Sequence, residues 1–501
     1  MSTPTIAPLR YRWWTLERGD VDATIAQVGF NLAQLVIPAF LLISAGIPLE
    51  FSVSRLLPGY ALGFLIGSLG LCFLAVRLAY RENRSDVTAH VYGNNVPAII
   101  AYTLSIMLPV YVQTRDPLQA WRVGAAAVIW TGIIKLAASP FAGYIRKQIP
   151  PAAAMTVFGS AMYSYLALVL LQRIFDQPVV GLIALAIILT SVVGIPITRF
   201  RIPPFLAAWL VPLAVGAAIG YVTPAWRGLH PSLPLVSSLE PLRALGTAIP
   251  YLSVIAPMSI YHVLQDIAAV TGSSAAGDDY DVRAVLFWDG LGTLICGLAG
   301  SAVAPVVYAL HPPYKHMGAR AGFAFWTPAV LLLIVASGLA LFFAQLFPWA
   351  ILSAMIAYVT IGVGLATLRR VESRYSAAVL LGLVLPAGAV VSASVTAALP
   401  ALGLSLANPV TQAALNRSIY WASVQGLGNG FLFLVLVVAA VTTELIDRNF
   451  TRAGIWCLIA ATFSWFGLMH SAVMRWAAQP QYACGWLCAA FIVYTARWWC
   501  G

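Results

Sequence analysis

Apolar runs of about twenty residues, separated by short polar or charged stretches, recur along almost the whole chain. Each run is long enough to cross the hydrocarbon core of a bilayer as an α-helix. The pattern predicts spans at 24–46, 57–78, 94–113, 120–139, 150–172, 177–196 and 203–223. It continues with 247–270, 284–302, a broken segment at 303–319, and then 324–346, 348–368, 375–397 and 421–445. Two further apolar segments, 451–470 and 484–500, follow. The stretch Phe141–Ile149 mixes Arg146 and Lys147 with apolar residues and reads as a helix lying in the membrane interface.

The longest connection, 224–246, divides the fourteen spans into two sets of seven, and an odd number per set inverts the second set relative to the first. The predicted organisation is a cytoplasmic segment 1–23, a first inverted repeat 24–223, the linker 224–246, a second repeat 247–445 and an additional transmembrane hairpin 446–501. Val91-Tyr-Gly-Asn-Asn-Val-Pro97 opens the third span of one half, and Val307-Tyr-Ala-Leu-His-Pro-Pro313 lies in the third span of the other. Proline has no amide hydrogen and pushes the residue before it out of the α region. Both motifs therefore predict spans interrupted by extended backbone, each leaving a half-helix whose N-terminal amides face the membrane centre. Such dipole ends attract an anion or a polar heterocycle.

Composition agrees with the pattern. Of 501 residues, 61% are hydrophobic and 9% charged, with a mean hydropathy of +0.87. A soluble domain carries roughly a quarter charged residues. The net charge of +11 is a matter of topology and not of nucleic acid. With the N-terminus in the cytoplasm, 19 arginines and lysines fall on that side and 8 on the other, leaving Lys135 inside a span. Residues 1–23 lack the apolar core and cleavage site of a signal peptide. The expected location is the cell membrane, multi-pass, with Trp13, Trp14, Trp498 and Trp499 in the interfacial aromatic belt. The six cysteines, Cys484 and Cys488 among them, lie in apolar stretches without a histidine or a second pair, so packing and not metal is expected. No HExxH, Ser/His or paired-Asp arrangement points to an enzyme, and no cofactor is implied.

Candidate site residues are the polar ones at bilayer depth. Asp266 is the carboxylate well inside the eighth span, and an ionisable group there is a functional candidate by default, as a proton or cation site. His262 lies one turn earlier on the same face, and Gln265 is adjacent. His311 falls in the open backbone of the tenth span, where it either meets substrate or caps carbonyls. Asn94 and Asn95 offer hydrogen bonds to substrate or form the turn. Asn31 and Gln34, on the first span, line the cavity or join helices. Asp289 is expected to pair with an arginine or to hold the start of its helix.

At Tyr92-Gly-Asn-Asn-Val-Pro97, Trp121–Pro151, Gly277-Asp-Asp-Tyr-Asp-Val-Arg283, Asp289-Gly-Leu-Gly-Thr293 and Tyr308–Gly322, the chain resembles the nucleobase–cation symporter-2 (xanthine/uracil permease) superfamily. It is nearest the adenine/guanine/hypoxanthine permease-like branch, and the resemblance covers most of 24–445. It implies an all-α polytopic membrane protein of 7+7 inverted repeats with core and gate domains. Short strands in the broken third and tenth spans would flank the substrate, adding Tyr308 and Leu310 to the candidates. It also implies a homodimer and coupling to protons or sodium. Carriers of this superfamily place an acid where this chain has Leu310, followed by His311. The expected function is transport of a nucleobase or similar small polar solute; the alternative is an anion carrier related to sulfate permeases.

Overall fold

The computed structural model describes residues 11–43, 46–192, 204–223, 240–346, 348–406 and 408–498. Most of the linker (224–239), Trp499 and Cys500 lie outside them. The first repeat contains spans Arg18–Ile43, Leu49–Glu82, Val96–Thr114, Pro117–Gln148 and Pro151–Asp176, then the shorter Pro178–Val192 and Pro204–Ala218. The second repeat runs Leu245–Ala275, Val282–Leu298, a broken tenth span, Gly322–Ala336 with Ala340–Gln345, Trp349–Arg370, Ser373–Thr396 and a bent fourteenth span. The interfacial helix Ala142–Gln148 continues the fourth span through a 3-10 turn, with Phe141 and Tyr144 exposed.

Packing obeys the repeat. The fourth span lies on the ninth as the eleventh lies on the second; the first meets the eleventh as the eighth meets the fourth. The second and ninth spans, exchanged by the repeat, pack on each other. Elsewhere the fifth meets the fourteenth as the twelfth meets the seventh, and the sixth meets the seventh as the thirteenth meets the fourteenth. The chain is thus a 7+7 inverted repeat with a core of spans 1–4 and 8–11 and a gate of spans 5–7 and 12–14. The eighth span joins them, touching the fifth and the fourteenth.

The centre of the symmetry is a strand pair. Strand β1 (Val91–Asn94) and strand β2 (Pro305–Tyr308) are antiparallel, with Val91 opposite Tyr308 and Tyr92 opposite Val307. The two Val-Tyr dipeptides therefore pair with each other. After β1, Asn95 caps the third span by accepting the Ala98 amide at 2.9 Å, and Pro97 sits in the first turn, where its missing N–H leaves no orphan. After β2 the helical part of the tenth span is His311–His316, so the broken segment expected at 303–319 divides into a strand and a short helix.

Glycine carries the core crossing. Gly59, Gly63, Gly67 and Gly70 line one face of the second span. A Cβ there would strike the Ala299 carbonyl, Cys296, the Tyr92 ring and the Trp288 ring, respectively. Small residues let membrane helices approach backbone to backbone.

The last gate span is broken at Asn429 and Gly430, so that Trp421–Gly428 and Phe431–Ile446 meet at 77°. Gly430 takes φ +71°, which the absence of a side chain permits. The C-terminal hairpin, Phe450–Phe466 and Pro480–Thr495, closes on this bend. His470 joins its Nδ1 to the Gly426 carbonyl at 2.7 Å, accepts Trp486 Nε1 at 3.1 Å and stacks on Tyr482 at 4.1 Å.

Candidate functional site

The first span presents Gln27, Asn31 and Gln34 on one face to the strand pair. Gln27 Nε2 donates to the Tyr92 carbonyl at 2.6 Å, and its Oε1 accepts Tyr314 Oη at 2.6 Å. Asn94 Nδ2 donates to the Asn31 carbonyl at 3.1 Å, and Asn31 Oδ1 accepts Tyr60 Oη at 3.0 Å. Tyr308 Oη reaches Gln34 Oε1 at 2.9 Å and also the Asn94 carbonyl. These are buried side chains with protein partners, so they fix the strands to the first span. Asn95 Nδ2 donates to Gln265 Oε1 at 2.9 Å, tying the third span's cap to the eighth.

One turn along the eighth span lies a buried ionic cluster. The Lys135 ammonium of the fourth span contacts Asp289 Oδ2 at 2.5 Å, Thr293 Oγ1 at 2.9 Å and the Pro305 carbonyl at 3.0 Å. His262 Nδ1 lies 3.4 Å from the same nitrogen and turns its lone pair to it, which puts the ring proton on Nε2. Asp266 Oδ1 accepts the Val307 amide of β2 at 3.3 Å. Lys135, His262, Asp266 and Asp289 are all 0% exposed. Among the described residues, buried atoms here without a hydrogen-bond partner include Asp266 Oδ2, both carboxylate oxygens of Asp289 (Oδ2 meeting Lys135 as an ion pair), His262 Nε2, Tyr261 Oη and Asn94 Oδ1.

Of the sequence candidates, the structure gathers Asn31, Gln34, Asn94 and Tyr308 at the strands, Asn95 with Gln265, and His262 with Asp266. His311 and Leu310 stand apart. Leu310 precedes the tenth-span helix and makes no side-chain cap. His311 Nε2 donates to Asp278 Oδ2 at 2.9 Å. Asp289 pairs with Lys135, not with an arginine. Sequence reasoning set Lys135 aside, although a lone cation inside a span is itself a signal that a buried partner exists. Gln27, one turn before Asn31 on the same face, was equally visible as periodicity.

Asp278, in the loop after the eighth span, gathers Arg84 at 2.5 Å, Lys315 at 2.6 Å, His311 and the Thr88 amide at 3.0 Å. Burial alone would raise its carboxyl, but hydrogen bonds from His311, Lys315 and Thr88 outweigh it and hold the group at about 2. That lies below the unfolded value of about 3.9, so the stabilisation is complete above pH about 4 and is lost as pH falls towards 2. Asp278→Asn is expected to lose about 2 kcal/mol at neutral pH, with the gap to wild type closing in acid. Thermal unfolding of both proteins across pH checks this; a gap that does not narrow refutes it.

Comparison with known proteins identifies fold and not family. No family model matches the chain, and no curated protein matches it in sequence. Among solved structures it is similar to the transmembrane domain of a cyanobacterium bicarbonate transporter, BicA. The TM-score is 0.52 at 13% identity, covering 76% of this chain and 96% of that one. It also aligns with SLC26A9 (TM-score 0.49, 16% identity, 84% of this chain and 65% of that one). A further alignment is with the murine Slc26a9 anion transporter in its inward-facing state (TM-score 0.49, 12% identity, 87% and 70%). With no family model matched and the fold shared with the membrane domain of a bicarbonate transporter, the expected membership of the nucleobase–cation symporter-2 superfamily is overturned. The motifs that carried the resemblance, Tyr92–Pro97 and Tyr308–Pro313, encode the strand, cap and half-helix of a shared fold. Leu310 stands where carriers of that superfamily place an acid.

Proposed function

We propose that this chain is a secondary transporter that moves a small inorganic anion across the membrane by alternating access, the core moving against the gate. The observation that carries this reading is the buried strand pair where the repeats meet, in a fold shared with a bicarbonate transporter's membrane domain. Transporters of inverted-repeat design place substrate there, between broken helices. The third span's capped N-terminus aims its backbone dipole towards the pair. Tyr261 Oη and His262 Nε2, both buried and unpartnered on the span between core and gate, add donors suited to an anion. Leu310 leaves the tenth span without the carboxylate that a base's N–H groups would need. We place the N-terminal face in the cytoplasm on the strength of its excess of arginine and lysine.

The test is uptake of radiolabelled bicarbonate, sulfate and chloride into liposomes containing the purified protein. Saturable uptake of at least one, absent from empty liposomes, is expected. Flux of none of them, with the protein folded, overturns the reading.

A further inference from the structure

Every group that faces the Lys135 ammonium is buried, and every one is an acceptor. Asp289 Oδ2 lies at 2.5 Å as its ion-pair partner, Thr293 Oγ1 at 2.9 Å, the Pro305 carbonyl at 3.0 Å and His262 Nδ1 at 3.4 Å. Thr293 Oγ1 donates its own hydrogen to the Asp289 carbonyl at 2.8 Å, so it turns a lone pair to the ammonium. A carboxylate, a hydroxyl and a main-chain carbonyl, drawn from the ninth span and from strand β2, are oxygen donors of the kind that hold a hard metal cation. Transporters with broken spans use the carbonyls of their unwound segments in this way at the membrane centre. Here the positive charge comes instead from the fourth span, as a compact ammonium on a flexible stem.

We infer that Lys135 is a tethered stand-in for a soluble cation: its ammonium fills a monovalent-cation site formed by Asp289, Thr293 and the Pro305 carbonyl, and the chain needs no metal ion there. The consequence for the cycle rests on the transport reading above. Pro305 opens β2, the strand that pairs with β1 where the two repeats meet. A dissociable ion would grip that strand only while bound, and would tie each turnover to its own entry and release. Lys135 is covalently part of the fourth span and cannot leave, so the grip on β2 is permanent. Substrate then moves without an alkali cation from this position.

Removing the ammonium in two ways tests the assignment. Lys135→Ala clears the stem and leaves room beside the three oxygens, whereas Lys135→Met removes the charge and keeps the space filled. Thermal unfolding of the purified proteins is compared in sodium, potassium and choline chloride at one ionic strength. Wild type should unfold at the same temperature in all three. Lys135→Ala should gain a few degrees in sodium or potassium over choline, and the gain should grow with the logarithm of the metal concentration. Lys135→Met should show no gain, nor should Lys135→Ala combined with Asp289→Asn. Lys147→Ala, which removes an exposed lysine, should behave as wild type.

Stabilisation of wild type by either metal overturns the proposal, and that measurement needs no variant to fold. Indifference of Lys135→Ala to both metals, its failure to fold in either salt, or a gain kept without the Asp289 carboxylate overturns it as well. In liposomes, wild-type anion uptake should run at the same rate in all three salts; a requirement for sodium or potassium refutes the consequence for the cycle. The unfolding comparison stands even where no anion is carried, so failure of the cation assignment and failure of the transport reading are distinguishable.

Discussion

Lys135→Met should destabilise the protein by about 4 kcal/mol, and removing the carboxylate it leaves behind should restore most of that loss. The substitution leaves Asp289 buried without its ammonium, 2.5 Å away in wild type. Removing one partner of a buried ion pair costs roughly 3–5 kcal/mol, because the remaining charge is left uncompensated, whereas replacing both partners by neutral groups is often close to neutral. Lys135→Met with Asp289→Asn should therefore be nearly as stable as wild type. Thermal denaturation of wild type, the single and the double variant decides it; a double variant no more stable than Lys135→Met rejects the pairing as the cause.

Gly63→Leu should abolish the folded protein. A Cβ at Gly63 meets the Cys296 side chain, its amide nitrogen at 2.5 Å and the Gly292 carbonyl at 2.5 Å, so two of the three obstacles are backbone. Overpacking a core typically costs 1–3 kcal/mol when side chains can yield. Here the second and ninth spans, the pair that the repeat maps onto each other, would have to separate, and with them the core. Gly246→Leu is the control, because nothing lies within 4 Å of a Cβ there. Loss of the monodisperse peak on size-exclusion chromatography for Gly63→Leu alone is expected. A stable Gly63→Leu protein would mean that the crossing is looser than described.

Spans and breaks were legible for a physical reason. Bilayer thickness fixes the length of an apolar run, and Pro97 and Pro312–Pro313 suit the first turn of a helix, so each marks a place where helix restarts after extended chain. The correspondence of Val91-Tyr92 with Val307-Tyr308 was also local, and the structure pairs those residues across the sheet. What sequence could not show was which polar residues meet. Asp289 looked like an arginine's partner because arginines are common in the loops. Its actual partner, Lys135, is five spans away in chain order and comes close only through the crossing of the fourth and ninth spans. His311 looked exposed to substrate because the tenth span opens beside it. The early restart of helix at that residue instead aims it at Asp278. The glycines at 59, 63, 67 and 70 were in plain view at helical spacing, a small-residue stripe whose meaning depends on what it faces.

The closure of the C-terminal hairpin on the bent fourteenth span has a mechanical consequence. His470 is held from three directions, and its amide donates to the Asn429 carbonyl at 2.8 Å inside the bend itself. A side chain at Gly430 would run into the Leu468 carbonyl, so the hairpin fills the space through which the kink would straighten. The elbow is splinted. It is built as a rigid corner and not as a joint, so the alternating access proposed above would have to find its displacement elsewhere, along the eighth span where core and gate touch.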